Sequence, residues 1–145
     1  MKKQGYDNHT RYYVPHHFVF YPVIFALIIF CITYLARGTE RSLEWLMFLT
    51  LLVIIGWLSF MMRQHYALTL QNRIVILELR LRYFQLTGKR LEPVESELSF
   101  AQLASLRFAS DEELPGLLQR TLVEKLSPDS IKKSIKNWVA DHRRV

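Results

Sequence analysis

Cysteine is nearly absent: Cys31 is the one thiol in 145 residues, which excludes an intrachain disulfide and any zinc or iron–sulfur site built from the cysteines of one chain. Glycine-rich signatures are missing too. Gly38, Gly88 and Gly116 stand alone, and the sequence has no phosphate-cradling loop, no Gly-x-Ser-x-Gly nucleophile turn and no His-Glu-x-x-His zinc pair. Scattered Ser, Asp and His residues without an ordered constellation supply no reaction. The expectation is a non-enzymatic protein with no cofactor and no small-molecule substrate, and the length is too short for a large multidomain enzyme.

The most informative absence is that of charge. Phe18 to Ala36 and Trp45 to Met62 contain no Asp, Glu, Lys or Arg, although these types make up 22% of the chain. At about 1.5 Å per residue each window reaches roughly 27–28 Å as a helix, close to the ~30 Å hydrocarbon core of a bilayer. Core helices of soluble proteins usually keep a polar face, and neither window has one. Two membrane spans are expected, at 18–36 and 45–62. Pro22 falls early in the first, where few intrahelical donors are lost, so it bends the helix rather than breaking it. A signal peptide is the rival reading of the first window, since Lys2 and Lys3 precede it. The stretch is long for a signal core, however, and Thr33-Tyr34-Leu35-Ala36 is a poor cleavage site, so the N-terminus is expected to stay uncleaved.

Residues 37–44 alone join the spans, which predicts an antiparallel transmembrane hairpin. Positive charge near the spans sets its orientation. Lys2, Lys3 and Arg11 precede the first span and Arg63, Arg73, Arg80 and Arg82 follow the second, against Arg37 and Arg41 in the connection. Both termini are therefore expected in the cytoplasm, with residues 1–17 as a cytoplasmic N-terminal segment. Tyr12, Tyr13, Phe18, Phe20 and Tyr21 read as the aromatic belt of one interface, Tyr34 and Trp45 as that of the other. A net charge of +6 points first to anionic lipid headgroups and second to nucleic acid.

Beyond Met62 the helical pattern continues. Leu70, Ile74, Leu77, Leu81 and Phe84 recur at alternating spacings of four and three, a heptad seam, and Gln71, Arg73, Glu78, Arg80, Arg82 and Gln85 are assigned to the opposite face. Residues 63–88 thus form a stalk helix continuing the second span and ending at Gly88, a suitable C′ residue. The seam has two readings: it packs on helices downstream in its own chain, which is preferred, or it pairs with another copy in a parallel coiled coil. Residues 89–98, with Pro93 and three glutamates, read as a linker.

Residues 99–145 are expected to form a small helical cytoplasmic module. Ser99-Phe-Ala-Gln102 fits a capping box, and Ser110-Asp-Glu-Glu113 suggests a second, opening a helix with Leu114, Leu117, Leu118, Thr121 and Leu122 on one face. Ser127-Pro128 opens a last helix, with Ile131, Ile135, Trp138 and Val139 along an apolar stripe and Lys132, Lys133 and Lys136 off it. Such a basic amphipathic helix packs on its neighbours, lies on anionic lipid or binds nucleic acid, in that order of preference.

His9, His16, His17 and His65 all fall near one predicted interface, so His17 and His65 are the candidates for metal or haem ligation. No pair has ligand spacing on one helix, and headgroup or backbone hydrogen bonding is the plainer reading. The spans hold no ionisable side chain, which leaves no proton relay at mid-membrane. Thr33, Thr50 and Ser59 are the sparse polar residues an oligomeric pore could use, and Gly56 and Ser59 suit close helix packing.

Asn8-His-Thr-Arg-Tyr-Tyr-Val-Pro-His-His-Phe18, Leu106-Arg-Phe-Ala-Ser-Asp-Glu-Glu113 and Ile131-Lys-Lys-Ser-Ile-Lys-Asn-Trp138 resemble an uncharacterised family of small two-span proteins of Bacteroidetes-type bacteria, known only as a domain of unknown function. The resemblance implies a bacterial inner membrane and imports no activity, ligand or catalytic residue.

The sequence as a whole predicts an all-α membrane protein that presents a basic helical module to dock a protein partner or to serve as accessory subunit of a membrane complex. Leu77, Leu81 and Phe84 on the seam and Lys132, Lys133, Lys136 and Trp138 on the tail are the candidate contact residues. The partners are the lipid bilayer and a protein or a second copy. The alternatives are an oligomeric transport or channel component, and a tethered binder of anionic lipid or nucleic acid.

Overall fold

A computed structural model describes residues 4–8, 13–38 and 40–141. Expectations resting on Lys2, Lys3, His9, Arg11 and Tyr12 lie outside the described residues. Every regular element among those described is helical. They group into two compact units, one of residues 13–69 and one combining residues 4–8 with 70–141.

In the first unit a π-helical turn, Pro15–Phe20, leads into α1, Tyr21–Ala36. Helix α2 runs Ser42–Met61 and passes through a second π-helical segment, Met62–Ala67. The helices begin before the apolar windows do, at Pro15 and Ser42, so the connection is shorter than the expected 37–44. Helices α1 and α2 touch each other. The Trp45 ring lies 4.8 Å from Tyr34 and 5.6 Å from Phe30 beside the connection. Farther along, a Cβ on Gly56 would stand 3.8 Å from Ile24 Cγ2. Both helices are long and apolar enough to cross a membrane.

Helical hydrogen bonding continues into the second unit as α3, Leu68–Thr87. Helix α3 is amphipathic twice over. At about 100° per residue, Leu70, Ile74, Leu77, Leu81 and Phe84 centre on one side, while Val75, Leu79 and Tyr83 centre about 180° away. The second stripe is buried and joins the core; the first is exposed. The expectation that polar residues occupy the face opposite the seam is thus corrected. Gln71, Glu78, Arg82 and Gln85 flank the seam on one side, Arg73 and Arg80 on the other. The preferred reading, that the seam packs on downstream helices of its own chain, fails because those helices take the other stripe.

Gly88 (φ +68°) ends α3, its N–H donating to the Phe84 carbonyl at 2.8 Å. The stretch expected as a linker instead contains a short helix, α4, Glu92–Glu95. Pro93 sits in its first turn, and Leu91, Val94 and Leu98 bring three apolar side chains to the core. Helix α5, Phe100–Leu106, opens with the expected capping box: Ser99 Oγ accepts from the Gln102 N–H at 3.3 Å, and Gln102 Oε1 accepts from the Ser99 N–H at 2.8 Å.

Helix α6 spans Leu114–Glu124 and α7 Pro128–Ser134. The second expected capping box is not formed. Pro115 sits in the first turn of α6, so Asp111–Glu113 make a turn ahead of the helix rather than its first residues. The last helix is also shorter than expected. Ile135 adopts an extended conformation (ψ 120°) and Trp138 and Val139 lie beyond the helix. Ile, Asn, Trp and Val are middling helix formers, and tertiary hydrogen bonds claim this backbone instead. The core of the unit is Leu79, Tyr83, Leu91, Leu103, Leu106, Ala109, Leu114, Leu117, Leu118 and Ile131.

Candidate functional site

The two module segments singled out in the sequence meet. Arg82, on α3, fixes the first of them: its Nε donates to Asp111 at 2.6 Å and its Nη atoms to the carbonyls of Arg107 and Ala109 at 3.1 and 2.6 Å. The guanidinium thereby satisfies carbonyls that no helix bonds. On that loop Phe108 is buried, with the Arg107 guanidinium 4.4 Å from its ring centre. The tail closes over it. Trp138 stacks on Phe108 at 4.6 Å and 19°, the Val139 N–H donates to the Phe108 carbonyl at 2.8 Å, and Asp141 pairs with Arg107 at 3.2 Å. Glu113 accepts from the Lys136 and Asn137 N–H groups at 3.3 Å, replacing the helical bonds those residues forgo.

Trp138 is therefore turned into its own module, and the preferred packing role of the tail describes it. Of the three lysines, Lys132 is half-buried and Lys136 is exposed. Lys133 pairs with Asp129 at 2.7 Å and lies 5.4 Å from the Tyr6 ring centre. The Tyr6 hydroxyl donates to Asp129, and Gln4 Oε1 accepts from the Asp141 N–H at 2.7 Å. These contacts clasp residues 4–8 onto the module. The hydrogen bond to Asp129 pushes the Tyr6 hydroxyl up, while those from Lys133 and Tyr6 hold the Asp129 carboxyl below its ordinary range. Asp129 and Lys133 were readable as an i,i+4 pair. Tyr6, far away in sequence, carried no signal.

Leu77, Leu81 and Phe84 are 58%, 59% and 52% exposed, and Leu70 and Ile74 extend the same strip. Arg80 is held away from it by Glu95, which accepts two of its hydrogen bonds at 2.6 and 2.9 Å. The strip is thus a continuous apolar surface on a helix whose other stripe is already used.

In the first unit, His17 Nδ1 lies 3.1 Å from the Tyr13 carbonyl and the His16 and His17 rings meet edge to face at 5.4 Å. His65 is exposed in the π-helical segment after α2. Among the described residues no three His, Cys, Asp or Glu side chains are grouped as metal ligands. The hydroxyls of Thr33 and Thr50 donate to carbonyls of their own helices, Phe30 and Leu46, at 2.7 and 2.8 Å. Both hydroxyls are thus engaged by backbone. The groove formed by Leu46, Met47, Phe48, Thr50, Leu51 and Ile54 is an apolar surface with no reactive group.

A family model described as a family of unknown function, DUF6526, matches residues 1–145. No curated protein matches, and no solved structure does.

Proposed function

Since the chain belongs to the DUF6526 family, a family of unknown function, we propose from its own residues that it is a non-enzymatic two-span membrane protein whose helical module docks a protein partner or serves as an accessory subunit of a membrane complex. One observation carries this reading. The apolar windows of the two long helices are 6% and 0% buried, whereas a core helix of a soluble protein is mostly buried. Contiguous apolar surface on soluble monomers rarely exceeds a few hundred Å². Lipid is the solvent that removes the penalty.

The hairpin with both termini on one side has its own support. Residues 4–8, before the first span, hydrogen bond to Asp129 and Asp141, after the second. Segments parted by a bilayer would be ~30 Å from each other. Lys2, Lys3 and Arg11 before the first span with Arg63, Arg73, Arg80 and Arg82 after the second, against Arg37 and Arg41 between the spans, favour the cytoplasmic side for both termini, and a bacterial inner membrane is the location proposed with it.

Membrane pelleting tests the premise. The chain should stay in the pellet after carbonate extraction, and tags at both ends should report the same compartment. Ile54→Lys is the sharper probe. Ile54 is 49% exposed, so in water the change would be nearly neutral, whereas at the centre of a span it costs about 3 kcal/mol of insertion free energy. Unchanged integration of that variant, or a wild-type chain left in the supernatant, would sink the proposal. Gentle detergent purification with crosslinking should then recover a partner or a self-oligomer.

A further inference from the structure

We infer that the exposed strip of α3 is a parallel coiled-coil interface with a second copy of this chain. The strip occupies heptad positions d, a, d, a and d at Leu70, Ile74, Leu77, Leu81 and Phe84, the alternation that keeps a seam facing one partner helix over its whole length. A β-branched residue at position a with leucine at the next d, as in Ile74 and Leu77, is the pairing that parallel two-stranded coils favour. The module does not cover the strip, since its core takes Leu79 and Tyr83 from the opposite side of α3, where Val75 is buried too.

Charge decides the occupant and its direction. Arg73 stands at position g and Glu78 at the following e, both exposed. In a parallel pair, g of one helix faces e of the next heptad on the other, so Arg73 meets Glu78 of the second copy, and symmetry makes the contact twice. An antiparallel pair would instead bring g to g and e to e, setting Arg73 against Arg80 and Glu78 against Glu78. Arg80, the other cation at g, is engaged by Glu95 of its own chain and faces Gln85 in the parallel register. The bilayer interior does not suit the strip either, because Arg73, Glu78 and Arg82 line its margins.

The strip is two heptads long, short of the three or four an isolated coiled coil needs. Membrane anchoring supplies the remainder, since it fixes both copies in one orientation and raises their effective concentration. This part rests on the two-span reading; the register and the charge pairing do not.

The test uses the full chain in its membranes, with Cys31→Ser removing the native thiol and single cysteines placed at Ile74, Leu77 or Leu81. Oxidation should join two copies at each of these, whereas Leu86→Cys, on the far side of α3, and Val123→Cys, on α6, should stay monomeric. In the Leu77→Cys background Arg73→Glu or Glu78→Arg alone should lower the disulfide-linked fraction by about tenfold, because each single change makes two like-charge contacts. The double exchange should restore it. Both residues are exposed, so a folding defect would not be rescued in this way. Equal linking at all positions, no linking at the seam, linking to a different protein, or failure of the double exchange would each overturn the inference. Carbonate extraction in parallel separates the two claims: a pelleted chain without seam crosslinks loses the dimer alone, and a soluble chain with them loses the membrane.

Discussion

Leu118 and Leu51 are the same side chain, yet one is 1% exposed and the other 53%. Leu118 stands for the unit of residues 70–141, where apolar residues turn inward from α3, α5, α6 and α7 onto one cluster. Leu51 stands for the unit of residues 13–69, where Phe25, Met47, Trp57 and Phe60 all face outward. One unit hides leucine from its surroundings and the other offers leucine to them. Burial therefore separates the two units: water stabilises the first by expelling Leu118, and under the proposed membrane reading hydrocarbon would solvate the second, with nothing gained by hiding Leu51. Helix α3 belongs to both patterns, with Val75, Leu79 and Tyr83 inward and a seam outward, but its outward face is flanked by Arg73 and Glu78 and so calls for protein rather than lipid.

Matched truncations break this comparison if it is wrong. Leu118→Ala should cost about 3 kcal/mol of module stability, the usual price of a fully enclosed leucine, read as a lower denaturant midpoint of the module in the full chain. Leu51→Ala should leave that midpoint unmoved. A comparable loss from both would mean that the two units bury their leucines against protein alike.

Helix ends within the water-facing unit give a smaller effect. Gly88 has φ +68° and Lys125 φ 49°, so two helices stop in left-handed conformations, one with the residue suited to it and one without. Gly88→Ala should lose about 1 kcal/mol and Lys125→Gly gain up to about 1 kcal/mol, both from the Cβ penalty in that region. Thermal unfolding of the two variants should shift in opposite directions. Equal signs would show that side-chain contacts at these ends outweigh backbone strain.

What could be read from the sequence follows from the same contrast. The apolar windows, the Ser99 and Ser127 caps and the Gly88 stop are local patterns, each set by a few adjacent residues, and they stand in the structure. The α3 seam is legible too, but not its occupancy: the shorter stripe of Val75, Leu79 and Tyr83 also has helical spacing, and only the packing of distant helices decides which of the two stripes is buried. The tail misled for another reason. Ile131, Ile135, Trp138 and Val139 keep helical spacing, yet Glu113 and the Phe108 carbonyl, far off in the chain, bind the backbone that would have continued the helix. Pro93 and its neighbouring glutamates look like a linker until Leu91 is seen in the core, 1% exposed.

The smallest expected effect concerns the clasp, where charge rather than apolar burial holds residues 4–8 to the module. Asp129 is depressed by Lys133 and then by Tyr6, so its contribution is present above its unfolded pKa and fades as pH falls through the still lower folded value. Tyr6 and Lys133 are raised, each chiefly by its hydrogen bond to Asp129, so theirs is full below their unfolded values and fades as pH rises through the folded ones. The clasp should therefore hold through neutrality and loosen below about pH 4 and above about pH 10. Amide hydrogen exchange over Gln4–Asn8, corrected for its intrinsic pH dependence, should show most protection between those limits, and Tyr6→Phe should reduce it at pH 7 while leaving the α5 and α6 amides unchanged. All three groups are solvent-accessible, so the module itself should keep its unfolding midpoint. A midpoint that moved with Tyr6→Phe would make the first residues part of the core instead of a strap laid over it.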